Sequence, residues 1–342
     1  MSQTTGPVSR PAAAAAPHAV PPAGRRPLAL VAFGGNALLR PEDHGTVEDQ
    51  LRRASEAAGW LMEFVRRRYD LVVVHGNGPQ VGQVMIQMEE AATKIPPGTL
   101  DLAVAQTEGS MGFLLELALR NRLRAERLDR EVTTTLSLVV VDRDDPGFKQ
   151  PSKPVGPFFS RYRAETLMRQ HKWQMVEDAG RGWRRVVASP RPLEFLGVEA
   201  VRDLLARGSL VIAGGGGGIP VVRRKGGQLA GVEAVIDKDR TSSLLARELG
   251  ADLFIVLTGV AQVMRNFGKK NAEPIPELAL DEARRLLARG QFPAGSMGPK
   301  IEAAIEFVAA TGRRVLITDI EHLPAALAGE GGTVIVAEPA DR

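Results

Sequence analysis

Short apolar runs alternate with longer stretches of helical period along most of the chain. LALVAF (28–33) has the continuous apolar character of a buried strand. In TVEDQLRRASEAAGWLMEFVRRR (46–68), Val47, Leu51, Ala54, Ala58, Leu61 and Val65 share one helical face, with Thr46 placed to cap the helix. A strand at 71–75, a helix at 79–92 and a long helix at 101–126 follow, and EVTTTLSLVVV (131–141) is strand-rich. The alternation resumes with helix 198–207, strand 209–213, helix 239–249, strand 253–257, helices 280–289 and 299–311, and strands 314–318 and 333–336. Such alternation predicts an α/β fold with a mainly parallel sheet covered by helices on both faces.

Two segments break the rhythm. RDDPGFKQPSKPVGPFFS (143–160) is rich in Pro, basic and aromatic residues and too long for a simple connection; RGWRRVVASP (181–190) reads as the strand returning from it. The first 26 residues are Pro- and Ala-rich, interrupted by prolines, and read as a disordered tail rather than a signal peptide.

Composition narrows the class. Hydrophobic residues make up 44% and charged residues 25%, the ordinary balance of a globular protein. The net charge is only +4, with Arg scattered along helices; this disfavours a nucleic-acid specialist and suits a small anionic substrate. There is no cysteine, so disulfides and thiolate metal sites are excluded and a reducing cytoplasm is the expected location. No apolar run approaches the ~20 residues of a membrane span.

Glycine marks the chemistry. Three strand ends run into it: Gly34, Gly35 and Asn36; Gly76, Asn77 and Gly78; and Gly214 to Gly218. A fourth segment, AGSMGPK (294–300), opens a helix. In open α/β sheets ligands sit at the carboxyl ends of strands, and glycine lets backbone N–H groups approach an anion. Neither G-x-x-x-x-G-K-[ST] nor a post-strand G-x-G-x-x-G is present, which disfavours P-loop and dinucleotide-binding domains.

Two lysines stand where helices disfavour cations. Lys238 falls at the start of one helix, and Lys300 follows Pro299 at the start of another. Violations of a local rule mark functional sites. A pair of ammonium groups suits a transferring phosphoryl group, with Asp239 orienting them and Asp237 capping the helix. No general base is forced by the sequence, and His75 reads as structural. The nucleophile is then an existing oxyanion, such as a carboxylate, rather than an alcohol.

AFGGNALL, HGNGPQVG, DDPGFKQPSKPVGPF, GWRRVVASP, AGGGGGIPV, GVEAVIDKD and AGSMGPKIEAA, in that order, resemble the carbamate kinases of the amino-acid kinase superfamily. The resemblance spans about residues 28–336. It implies a three-layer αβα sandwich on a mainly parallel eight-stranded sheet, a domain over 27–342, and a small protruding lid near 143–185. It implies a homodimer that transfers phosphoryl reversibly between ATP and carbamate, giving ADP and carbamoyl phosphate, with Mg²⁺ held mainly by phosphates and water. Lys153, Lys238, Asp239 and Lys300 would be catalytic, with Lys153 reaching in from the lid. Gly35, Asn36, Gly76, Asn77 and Gly78 would line the substrate side. Gly215, Gly216, Gly217, Lys238, Thr258, Met264, Met297 and Lys300 would meet the nucleotide.

One stretch departs from the family. Where carbamate kinases have close to LT-D-V-D-x-V-Y, this chain has LTGVAQVMRNFG (257–268), with Gly259 and Ala261 for the acids and Met264 for the tyrosine. The residues alone leave two alternatives: a sister kinase acting on another small acid, and a non-catalytic binder of carbamoyl phosphate or nucleotide.

Overall fold

The computed structural model describes residues 25–34, 43, 45–178, 180, 182–293 and 295–338. Nearly all of the N-terminal tail, and Gly35 and Asn36, lie outside the described residues.

Eight strands form the central sheet. From one edge they run Glu277–Ala279, Thr333–Val336, Val315–Thr318, Leu253–Leu257, Leu28–Ala32, Asp70–Val74, Leu210–Ile212 and Val132–Thr134. Neighbours are parallel except Val315–Thr318 with Thr333–Val336. The first strand shows why its run is unbroken: Leu28, Leu30 and Ala32 enter one core, while Ala29, Val31 and the following Phe33 enter the other. A strand buried on both faces has no place for a polar residue.

Each core is closed by its own helices. Lys238–Leu249, Met297–Thr311, Leu280–Ala288 and Val198–Ala206 cover one face. Val47–Arg66, Leu100–Ala125 and Leu323–Leu327 cover the other, completing three αβα layers. Thr46 caps the Val47–Arg66 helix as expected, its hydroxyl accepting from the Asp49 N–H at 3.1 Å. Ala54, Ala58, Leu61 and Val65 are buried, joined by Met62 and Phe64, but Val47 is exposed at the helix start. Each fully buried large apolar side chain contributes about 1.5–3 kcal/mol.

The strand-rich run 131–141 is two strands in two sheets. Val132–Thr134 ends the main sheet, while Leu138–Val141 pairs with Ile219–Arg223 and Pro192–Phe195 in a four-stranded sheet completed by Leu229–Gly231. Ser137 marks the crossing: its N–H donates to Glu108 and its hydroxyl accepts from Gly214 N–H.

The Pro-rich segment and its return build a three-stranded antiparallel sheet, in the order Lys153–Phe159, Trp183–Val187, Gln174–Glu177, with helix Arg161–His171. Ala164, Leu167 and Met175 form its small core, edged by Phe159, Trp173 and Trp183. It packs on helix Gly78–Glu90 through two glycines: a Cβ on Gly82 would fall 1.8 Å from Gly156 Cα. Among the described residues, no helix is long and apolar enough to cross a membrane.

Candidate active site

The carboxyl ends of the central strands open into a cleft of about 510 Å³. Gly34, Gly76 to Gly78, Gly216, Thr258, Gly259 and Asp319 line it from the sheet side. Asp237, Lys238, Asp239 and Lys300 line it from two helix starts, and Lys153 from the first strand of the three-stranded sheet.

Helix Lys238–Leu249 begins in an ion cluster. Asp237 caps it, with Oδ1 accepting from the N–H groups of Asp239 at 2.9 Å and Arg240 at 3.4 Å. Asp239 receives two ammonium groups, Lys238 on Oδ1 and Lys300 on Oδ2, the latter at 2.8 Å. Asp237 Oδ2 in turn accepts from Lys153. Asp237, Lys238 and Asp239 are 7%, 8% and 3% exposed, so water screens the cluster little. A cation at a helix N-terminus opposes the macrodipole, and here Asp239 offsets that cost. Lys300 is the fourth residue of helix Met297–Thr311 rather than its second, since the helix starts two residues before Pro299.

Burial and pairing divide the charges. Burial opposes ionisation of Asp237 and Asp239, but the lysines around them hold both carboxyls below the usual range. Burial pulls the Lys238 ammonium down to about 8 against the attraction of Asp239, and Lys300 adds repulsion. Lys300 is also buried, yet Asp239 and Asp237 outweigh that and raise it.

Asn77 is buried and its side-chain amide donates to Thr107 Oγ at 2.9 Å, so it is not spent capping helix Gly78–Glu90. That helix start, Gly76 to Gly78, faces the cleft, and a Cβ on Gly78 would meet nothing within 4 Å. His75 does not reach the cleft wall. It is fully buried with Nδ1 3.2 Å from Gly76 O, and burial pulls it down to about 4, in keeping with its structural reading.

The glycine run behaves differently from the expectation. Gly215, Gly216 and Gly217 were to offer N–H groups to nucleotide phosphates. Their donors are taken inside the protein: Gly215 by Glu108 Oε1 at 3.0 Å, Gly216 by His75 O at 2.7 Å, and Gly217 by Gly214 O at 3.0 Å. Only Gly216 of the three lines the cleft. The run is there for close approach. A Cβ on Gly215 would lie 2.2 Å from His75 Nε2, and one on Gly216, at φ 67°, would lie 2.2 Å from Asn77 Nδ2. Burial pushes Glu108, beneath the turn, up to about 8 against its N–H donors.

Thr258 lines the cleft, but Met264 and Met297 do not. Met264 pairs with Pro274 in a small hairpin, and Met297 packs against the core. Side chains that sequence reasoning left out also line it: Trp60, Arg184 and Asp319. Arg184 donates to Gly156 O at 3.0 Å and to Asp178 at 3.2 Å, a tertiary arrangement that no local motif announces. Asp319 has a local signal, an acid directly after a strand end on the ligand side of the sheet.

Comparison with known proteins agrees with this geometry. The model of the amino acid kinase family matches residues 27–319. A carbamate kinase of Pyrococcus furiosus is 40% identical over 309 residues, covering 90% of this chain and 98% of that protein. The carbamate kinase-like protein YahI of Escherichia coli is 42% identical over 312 residues, covering 90% and 98%. The solved carbamate kinase of Giardia lamblia bound to citric acid matches at a TM-score of 0.87 and 38% identity, over 91% of this chain and 98% of that one. The same enzyme bound to AMP-PNP matches at a TM-score of 0.83. With an ion cluster at two helix starts, a cleft at the strand ends and relatives matched over nearly their whole length, the chain belongs to the amino acid kinase family, in its carbamate kinase branch.

Proposed function

We propose that this protein is a carbamate kinase, transferring a phosphoryl group reversibly between ATP and carbamate. A carbamate oxygen attacks the γ-phosphorus, the bond from that phosphorus to the ADP oxygen breaks, and carbamoyl phosphate and ADP result. Carbamate is already an anion, so no proton must be removed, in keeping with a cleft whose neighbouring histidine is buried and depressed. Lys238 and Lys300 stabilise charge on the phosphoryl oxygens, and Asp239 keeps the two ammonium groups at fixed separation. Lys153 adds a third cation from the subdomain. The start of helix Gly78–Glu90 receives the small acid. The observation that carries this reading is one buried carboxylate, Asp239, spanned by two lysines from different helices.

Among the described residues no three acidic or histidine side chains gather as a cation cage, and Asp237 and Asp239 are engaged by lysines. That donor set fits Mg²⁺ arriving on the nucleotide's phosphates and keeping water ligands. When bound, the ion neutralises phosphate oxygens. The reading includes a homodimer: Leu102, Phe113 and Leu117 form an exposed stripe on helix Leu100–Ala125, next to exposed Leu136. Sedimentation as a lone 36.7 kDa species would remove that part. The absence of cysteine suits a reducing cytoplasm.

The test is a coupled assay forming ATP from ADP and carbamoyl phosphate. Turnover should stop with a chelator, and Lys238→Ala or Lys300→Ala should each cost about 10²–10³-fold in kcat. Because the resemblance leads one to expect acids where Gly259 and Ala261 stand, a non-catalytic reading has one observation behind it. Carbamoyl phosphate bound in calorimetry without any turnover would favour it over the kinase.

A further inference from the structure

Asp239 takes Lys238 on one oxygen and Lys300 on the other. Lys153 instead meets Asp237, 84 residues away in sequence. Asp237 divides its two oxygens: Oδ1 serves the helix N–H groups, and Oδ2 serves Lys153. The backbone brings the pair together at the root of the subdomain. Lys153 faces Val187 in register, and the next residue, Ala188, accepts from the N–H of Val235 at 2.9 Å, two residues before Asp237. Lys153 thus stands where the subdomain joins the body.

We propose that Asp237 is a positioning residue for phosphoryl transfer, holding the Lys153 ammonium at the start of helix Lys238–Leu249 so that it meets the transferring group already oriented. The proposal rests on the carbamate kinase reading and goes beyond the capping role. An ammonium has three N–H donors, so one given to Asp237 leaves two for phosphate oxygens. Holding a charged group in place before reaction avoids reorganisation during it.

A residue that only caps the helix tolerates Asn, which caps as well as Asp does. A residue that holds an ammonium does not, because Asn keeps the oxygen and loses the charge. The experiment is therefore a cycle of Asp237→Asn, Lys153→Ala and the double variant in the ATP-forming assay. Asp237→Asn should lower kcat by about 10–100-fold, leave KM for ADP within about twofold, and cost less than about twofold once Lys153 is already Ala. Its circular dichroism spectrum should stay that of the wild type; Asp237→Ser, which also caps, repeats the measurement should the Asn variant misfold. Alongside, acylation of Lys153 by acetic anhydride at fixed pH, mapped by mass spectrometry, should be several-fold faster in Asp237→Asn. Full activity in Asp237→Asn, or an equal loss in both Lys153 backgrounds, overturns the proposal. If the wild-type chain shows no turnover at all, the kinase reading fails, and the acylation rate alone decides the positioning claim: an unchanged rate overturns it.

Discussion

Lys238 carries the electrostatic cost of the site, buried at the positive end of a helix beside a second lysine. In the folded chain it loses its proton near pH 8, well below its ordinary 10.5. Between those values the unfolded chain binds more protons, so Lys238 by itself makes stability rise with pH across that window. In the proposed reaction activity has the opposite sign, because the ammonium is the form that meets the phosphates. The pH profile of kcat/KM, which reports the free enzyme, should fall on an alkaline limb near 8. The limb in kcat should lie higher, since bound phosphates favour the charged form. Coincident limbs in the two profiles would count against Lys238 facing the phosphates. The two helix-start lysines were legible in the sequence because the rule they break is local. The link from Lys153 to Asp237 was not, because it depends on how the subdomain root meets the strand end at Val235.

At the level of elements, the glycine run teaches the most. Its place after a strand was readable and its use was not, because composition does not say which partners the N–H groups find. They find Glu108, His75 O and Gly214 O, while the absent side chains let the turn press on His75 and Asn77. The run therefore holds Asn77 in the cleft wall from behind. Gly216→Ala should strain a backbone at φ 67° and push Asn77, costing about 1–3 kcal/mol in denaturant unfolding. It should also raise KM for carbamoyl phosphate more than KM for ADP if Asn77, as proposed, meets the small acid. Equal effects on both would place the turn against the nucleotide instead. The strand-rich character of 131–141 was readable, but its division was not: Ser137 hands the chain from one sheet to another, held by Glu108 and Gly214.

For the whole molecule, alternating strands and helices were enough to foresee the sandwich, since two-faced burial leaves unbroken apolar runs. At this scale the end of strand Leu253–Leu257 bears on nucleotide binding, because the resemblance to carbamate kinases leads one to expect acids where Gly259 and Ala261 stand. Gly259 lines the cleft, has no left-handed backbone, and a Cβ there would meet nothing within 4 Å. A Cβ can therefore be added there without displacing its neighbours. Gly259→Asp should place a carboxylate within the cleft, where a single added hydrogen bond to a nucleotide hydroxyl contributes about 0.5–1.5 kcal/mol. KM for ADP should fall by roughly twofold to tenfold, with kcat unchanged because the phosphoryl cluster is untouched. If Gly259→Asp instead raises KM for ADP, the new carboxylate is repelling the phosphates. The nucleotide would then lie with its charged end toward Thr258.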